Sequence, residues 1–355
     1  MKHVYTSFLT FTLLTLTATG VYAQGPNDSG TYYAAADGKK GAELKTALCG
    51  IIRPGLDENA VSYTPSVWNA YPTTDARSDD NTKVWDMYSN YSDFSFGAPY
   101  QDTGKAYDKT KPNEGQYYNR EHSWPNSWFG KQVQPMYTDL HHVYPTDKFV
   151  NAQRANNPFG ETNGSWKSIN DFSKLGDCTY PGYTGTVFEP NDIYKGDFAR
   201  TYFYMVTCYE ENIAKWYTDY GVGGSGDTKT AVLATLDGNA YPGLKEWQLN
   251  MLIKWSKNDP IDQPIAKETP RNNAVYAIQK NRNPFIDYPG LEEYIWGALK
   301  DVAFSYDHYQ SPTAIMTIKA EPANKEGVMY NLAGQVVDKN YKGIVIMNGK
   351  KFYNK

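Results

Sequence analysis

The chain has 355 residues, enough for one large core or two domains, and 40% of them are hydrophobic, so a packed globule is within reach. Its formal net charge of −4 argues against a protein that grips nucleic acid through an overall positive field, while leaving open an enzyme with a local basic groove and a bound cation. The 31 tyrosines and nine tryptophans supply buried area with a polar tip, and the same rings stack on sugars and bases.

Residues 1–23 read as a secretory signal peptide. Lys2 and His3 open it, residues 8–16 form an apolar run interleaved with threonines, and Val21-Tyr22-Ala23 precedes a cut at Gln24. The run is too short and threonine-rich to span a bilayer, and no later segment qualifies. The mature protein is therefore expected to be exported: secreted, at the cell surface or periplasmic. Residues 24–40 form a loosely held lead-in. Leu44, Leu48 and Ile51/Ile52 predict a helix from Gly41, ended by Pro54-Gly55. Asp75, Asp79, Asp80 and Asp86 have the spacing of a calcium loop but lack its glycine, so solvated turn acids are the better reading. Cys49, Cys178 and Cys208 allow at most one disulfide, with all three pairings open, and their spacing excludes a cysteine zinc cluster. Small buried thiols are the default.

Residues 117–124 predict a strand ending in a Pro-Asn turn. Residues 139–144 predict a second strand, closed by Pro145. Thr146 or Asp147 then caps a helix carrying Phe149, Val150, Asn151 and Arg154, with Asn151 and Arg154 on one face. Residues 160–195 are loop-rich. The strongest helical stripe runs over 196–217, through Phe198, Tyr202, Met205/Val206, Tyr209, Ile213 and Trp216, and reads as core. Residues 221–226 are a flexible glycine-rich connection, since Asp227-Thr228 stands where a phosphate loop needs Lys-Ser/Thr. Further helices are predicted over 243–256, 271–279 and 291–303. After 310–312 the composition shifts. Strand-like stretches at 314–320, 328–337 and 344–347, with turns at Ala333-Gly334 and Asn348-Gly349, make 311–355 a small β module.

Three of the five histidines fall between Asn119 and Glu161, with carboxylates, amides and an arginine: the components of metal-assisted attack of water on a phosphate. The segment resembles the bacterial endonuclease I family of secreted, metal-dependent, non-specific nucleases. Glu121-His122 followed by Trp124-Pro125 resembles the family's Glu-His-x-x-Pro signature. Asp139-Leu140-His141-His142, Pro145, Val150-Asn151, Arg154 and Asn156 match its second block in order. Phe188-Glu189-Pro190, residues 194–200 and residues 281–287 match later blocks, so the resemblance spans roughly 41–299. It implies an α+β fold in which a ββα-metal (His-Me finger) nuclease core is embedded in a largely helical catalytic domain over 41–310.

The resemblance further implies a magnesium-dependent endonuclease that cleaves DNA, RNA or both with little sequence preference, leaving 5′-phosphate ends. His122 would be the general base, and Glu121 and Asn151 would hold one Mg²⁺, with Mn²⁺ or Ca²⁺ as alternatives. Both residues reaching one phosphate implies a bend or the start of a loop at Glu121-His122. Asp139, His141 and His142 stand behind these, as orienting or packing groups. Family members often carry an arginine between the two blocks. Here only Lys131 lies there, so Lys131, Arg154 and Arg282 are the candidate phosphate contacts. Residues 328–344 resemble C-terminal modules of exported Bacteroidetes-type proteins, some of which are sorting signals read by export machinery. The protein is expected to be a monomer. The rival readings are a non-catalytic exported binding protein and a phosphodiesterase of another substrate class.

Overall fold

The computed structural model describes residues 24–97, 114–312, 329–331, 336–338, 340–347 and 350–354. The signal peptide and the strand expected at 314–320 lie outside the described residues, as do the turns at Ala333-Gly334 and Asn348-Gly349. In the described chain α1 (Gly41–Asn59) and α2 (Ser66–Thr74) precede β1 (Tyr118–His122), β2 (Val143–Asp147) and α3 (Lys148–Arg154). A three-stranded antiparallel sheet follows, from β3 (Trp166–Lys167), β4 (Lys174–Asp177) and β5 (Thr186–Glu189). Seven helices come next: α4 (Lys195–Cys208), α5 (Ile213–Trp216), α6 (Gly226–Thr235), α7 (Glu246–Asn258), α8 (Glu268–Gln279), α9 (Pro284–Asp287) and α10 (Leu291–Ile295). The architecture is α+β. At the C-terminal end β6 (Met329–Asn331), β7 (Val336–Val337), β8 (Gly343–Met347) and β9 (Lys350–Asn354) form a sheet of their own in the order β7-β6-β8-β9.

The axis of the core is α4. Every residue of it beyond Lys195 is buried, not one stripe alone, and it packs against α1 and α7. A helix buried all round must pair its polar residues. Arg200 does so by donating two bonds to Glu268 (2.5 and 2.8 Å) and one to the Asp259 carbonyl (3.0 Å). The predicted single helix over 196–217 instead ends at Cys208, and the chain re-enters helix at Ile213.

Three further expectations are corrected by packing. Pro54 does not end α1. Leu44, Leu48, Ile52 and Leu56 bury one continuous stripe across it, and the carbonyl it orphans belongs to the exposed Gly50. Gly55 is required there, since a methyl group on it would collide with the Lys280 carbonyl oxygen. The expected glycine-rich connection over 221–226 is shorter than predicted: only 223–225 is non-helical, linking a π-helical turn over Tyr217–Val222 to α6. Over 291–303 only Leu291–Ile295 is α-helical.

The second strand also shifts. Asp139 folds into a turn, its carbonyl accepting from His142 N (3.1 Å) and Val143 N (3.2 Å), and β2 begins only at Val143. Pro145 lies inside β2, opposite Arg120, which a two-stranded sheet tolerates because each strand has an unpaired edge. Asp147 caps α3 as expected, accepting from Phe149 N and Val150 N at 2.9 and 3.0 Å.

Candidate active site

Of the expected bend or loop start, β1 shows no bend at Glu121-His122; the strand ends at His122 and the loop follows it. The register Glu121↔Tyr144 and His122↔Val143 is regular, and Ser123 N continues the pairing by donating to the His142 carbonyl at 3.0 Å. Strand alternation therefore sends the two side chains to opposite faces. Asn119 and Glu121 face α3, and Arg120 and His122 face the other way.

On the first face, Glu121 is nearly fully buried and is held by two donors. Tyr88 Oη and Arg154 Nη1 bond it at 2.8 and 2.7 Å, and both use the same oxygen, Oε1. Burial raises the Glu121 pKa above the usual carboxylate range, and the Arg154 cation opposes that rise. One turn earlier on α3, Asn151 donates from Nδ2 to Asn119 Oδ1 at 2.8 Å. That bond commits the amide nitrogen and leaves Asn151 Oδ1 as an acceptor. Asn151 sits three residues from Arg154, so the strand–helix contacts Asn119–Asn151 and Glu121–Arg154 run side by side. Glu121 Oε2 and Asn151 Oδ1 take part in neither. Two hard oxygens of this kind suit a divalent cation such as Mg²⁺. Among the described residues no cluster of three or more His, Cys, Asp or Glu side chains is arranged to hold a metal.

On the second face, the His122 ring lies parallel to Tyr137, 5.2 Å away and tilted by 11°, and is 7% exposed. Its Nε2 is 3.0 Å from the Tyr137 carbonyl. A carbonyl only accepts, so Nε2 carries the hydrogen and Nδ1 holds the lone pair. Burial, with His142 nearby, pushes the imidazole pKa down to about 3, so the ring is neutral at pH 7.

The remaining candidates separate by burial. Arg154 is 1% exposed, and its guanidinium is spent inside the protein: on Glu121, on the His122 carbonyl (2.9 Å) and on the Ser123 carbonyl (2.6 Å). It clamps the end of β1 and is not placed to meet a phosphate. Arg282 is bound by two bonds to Asp287 (2.6 and 2.7 Å) and one to Asn273 (2.7 Å), and joins neither face of β1. Lys131 is exposed in a left-handed turn just after the 3-10 turn Asn126–Phe129.

Asp139 is the hub of a buried network, accepting from Gln279 Nε2 (2.8 Å), Tyr204 Oη (2.7 Å) and Tyr209 Oη (2.8 Å). Burial raises its pKa, but His141, His142 and the Gln279 bond outweigh that and hold it below the usual value. His141 Nε2 faces the Asn281 carbonyl at 3.2 Å, and burial lowers its pKa to about 4. His142 Nε2 donates to the Met136 carbonyl at 2.6 Å, and its ring stands 5.6 Å from that of His122. All three brace the turn that carries β2.

Sequence reasoning missed Arg120. Its guanidinium lies over the rings of Tyr63 (3.4 Å) and Trp68 (4.4 Å), and Nη1 donates to the Tyr63 carbonyl (2.5 Å) and Thr64 Oγ1 (2.8 Å). Tyr63 in turn stacks on Tyr137 at 4.2 Å, so Arg120 and His122 flank one aromatic stack. Asn119 was missed too. The signal for both was parity: they alternate with Glu121 and His122 along one strand.

A neutral histidine on one face of β1, and a carboxylate and an amide oxygen on the other, are group types that a hydrolytic site uses. The chain belongs to the endonuclease I family, whose model, described as Endonuclease I, matches residues 40–290, and it is a nuclease. It is 35% identical over 274 residues to an extracellular ribonuclease of Bacillus amyloliquefaciens, covering 76% of this chain and 79% of that one. It is equally similar, 35% over 275 residues with the same coverage, to an extracellular ribonuclease of Bacillus subtilis (strain 168).

Proposed function

We propose that the protein is an exported, divalent-cation-dependent endonuclease that hydrolyses phosphodiester bonds with little sequence preference, leaving 5′-phosphate ends. The observation that carries this is the His122 Nε2 bond to the Tyr137 carbonyl, which holds Nδ1 as a proton acceptor one residue from Glu121. In this reading β1, β2 and α3 act as a ββα-metal core. Glu121 Oε2 and Asn151 Oδ1 would hold one Mg²⁺, which would supply charge neutralisation at the phosphate and the departing oxygen. His122 Nδ1 takes a proton from water, the water oxygen bonds to phosphorus, and the bond from phosphorus to the 3′ oxygen breaks. The relatives' names favour RNA among the substrates and an extracellular location.

The test is to incubate the chain with supercoiled plasmid and structured RNA, with Mg²⁺ and with EDTA. Cleavage only with metal, at ends that ligase accepts without a kinase, is expected. Polymers left intact with metal, or cut equally in EDTA, would overturn the reading.

Arg120 takes the phosphate role for which Lys131, Arg154 and Arg282 were candidates. Among the described residues only its Nη1 forms hydrogen bonds, it is half-buried, and it shares a strand face with His122. Arg120→Ala should lower kcat/KM roughly 10- to 100-fold, the scale of one charge-assisted hydrogen bond. Arg120→Lys should restore little, because an ammonium lacks the planar fork. Metal affinity, read by calorimetry, should stay unchanged. Near-native turnover in both variants would dismiss the role.

A further inference from the structure

Away from β1, an open groove of about 540 Å³ runs between the β4–β5 connection, α6 and the start of α7. Its floor is Trp247, anchored by its indole N–H donating to the Ala234 carbonyl at 2.7 Å. Tyr183 lies flat on that indole, with ring centres 4.8 Å apart and planes 16° apart. The stack depends on Gly182, which has φ +100°, since a Cβ there would press into Trp247. Lys229 and Lys245 stand on the walls, and the lining contains no acid. Among the described residues neither lysine forms an ion pair, and Lys229 Nζ meets only the Val222 carbonyl, at 3.2 Å.

In a chain of net charge −4, two uncompensated ammonium groups beside a half-exposed tyrosine are a local inversion of the overall field. We infer that this groove binds single-stranded nucleic acid, with an unpaired base stacked on the outer face of Tyr183 and flanking phosphates on Lys229 and Lys245. Single strands are favoured over duplex because only an unpaired base offers its ring face to an aromatic platform. Position supports a link to the catalytic centre. The wall helix α6 packs on the 3-10 turn Asn126–Phe129 that follows the Glu121-His122 strand, and Lys131 is exposed at the end of that turn. The groove is thus a holding site for substrate strand beyond the cleavage point, and in that link it rests on the nuclease reading. Further along α7, Lys254 is neutralised by Glu161 at 2.8 Å, so the basic track stops there.

The experiment uses the full chain carrying His122→Ala, in EDTA, so that a labelled 12-nucleotide single-stranded RNA survives. Binding is read by fluorescence anisotropy at several salt concentrations. Lys229→Ala with Lys245→Ala should weaken binding at least tenfold and flatten the log–log salt slope by about 1.4, two phosphate contacts' worth. Tyr183→Ala should weaken it about 5- to 100-fold. Tyr183→Phe, which keeps the ring, should bind like its parent and shows that the loop still folds. Unchanged affinity in the lysine and alanine variants overturns the inference. So does a parent that binds no oligonucleotide, or a duplex of the same sequence that binds as tightly and is indifferent to Tyr183→Ala. Cleavage by the unaltered chain with Mg²⁺ is scored separately, so failure of the nuclease reading and failure of the groove are distinct results.

Discussion

Replacing His122 by alanine is expected to lower turnover on RNA or plasmid by about 10²- to 10⁴-fold, the usual contribution of a positioned general base. The ring is buried against Tyr137, so some stability is lost with it. His122→Asn separates the two effects. Its side chain fills more of the site and keeps a polar amide, but it has no nitrogen that takes up a proton. Both variants should therefore be equally inactive while His122→Asn unfolds closer to the parent. A His122→Asn enzyme within tenfold of the parent would remove His122 from the chemistry. Metal binding, followed by calorimetry, should persist in both, because Glu121 and Asn151 lie on the opposite strand face.

The second large effect concerns stability. Arg154→Ala strips Glu121 of its cation and leaves the His122 and Ser123 carbonyls without that donor, all in the interior. Breaking one side of a buried ion pair costs about 3–5 kcal/mol. The midpoint of urea unfolding should fall accordingly, and activity should fall with it, since Glu121 is held by only one other donor, Tyr88. Arg154→Lys keeps the charge but loses the fork that spans Glu121 and both carbonyls, so it should recover only part of the loss. A residue that merely touched substrate would behave otherwise. Arg154→Ala would then unfold like the parent and lose turnover alone, and that result would reject the clamp.

The catalytic segment was legible because its order is local. A strand, a turn, a strand and a capped helix follow one another within 37 residues, 118–154, and Asp147 at the strand-to-helix boundary announces its cap. The misreadings arose where distant packing overrides a local rule. Pro54 looked like a stop but lies in a helix fastened by Leu56 beyond it, and Pro145 looked like the end of a strand whose edge accommodates it. Basic residues were harder. Arg154 and Arg282 sit in matching blocks, yet their partners, Glu121 and Ser123 for one and Asp287 and Asn273 for the other, consume them. Arg120 is marked out only by Tyr63 and Trp68, more than 50 residues earlier, whose approach no spacing reveals. The same holds for the groove, whose Tyr183 and Trp247 meet across 64 positions of chain.

The three cysteines are all uncrosslinked, and burial raises the pKa of each thiol. Thiols kept protonated are poor nucleophiles and slow partners in disulfide exchange. The fold therefore requires no oxidant to mature and offers no bond for a reductant to break. An enzyme built this way is indifferent to the redox poise of its surroundings, so thermal unfolding in dithiothreitol and in oxidised glutathione should superimpose.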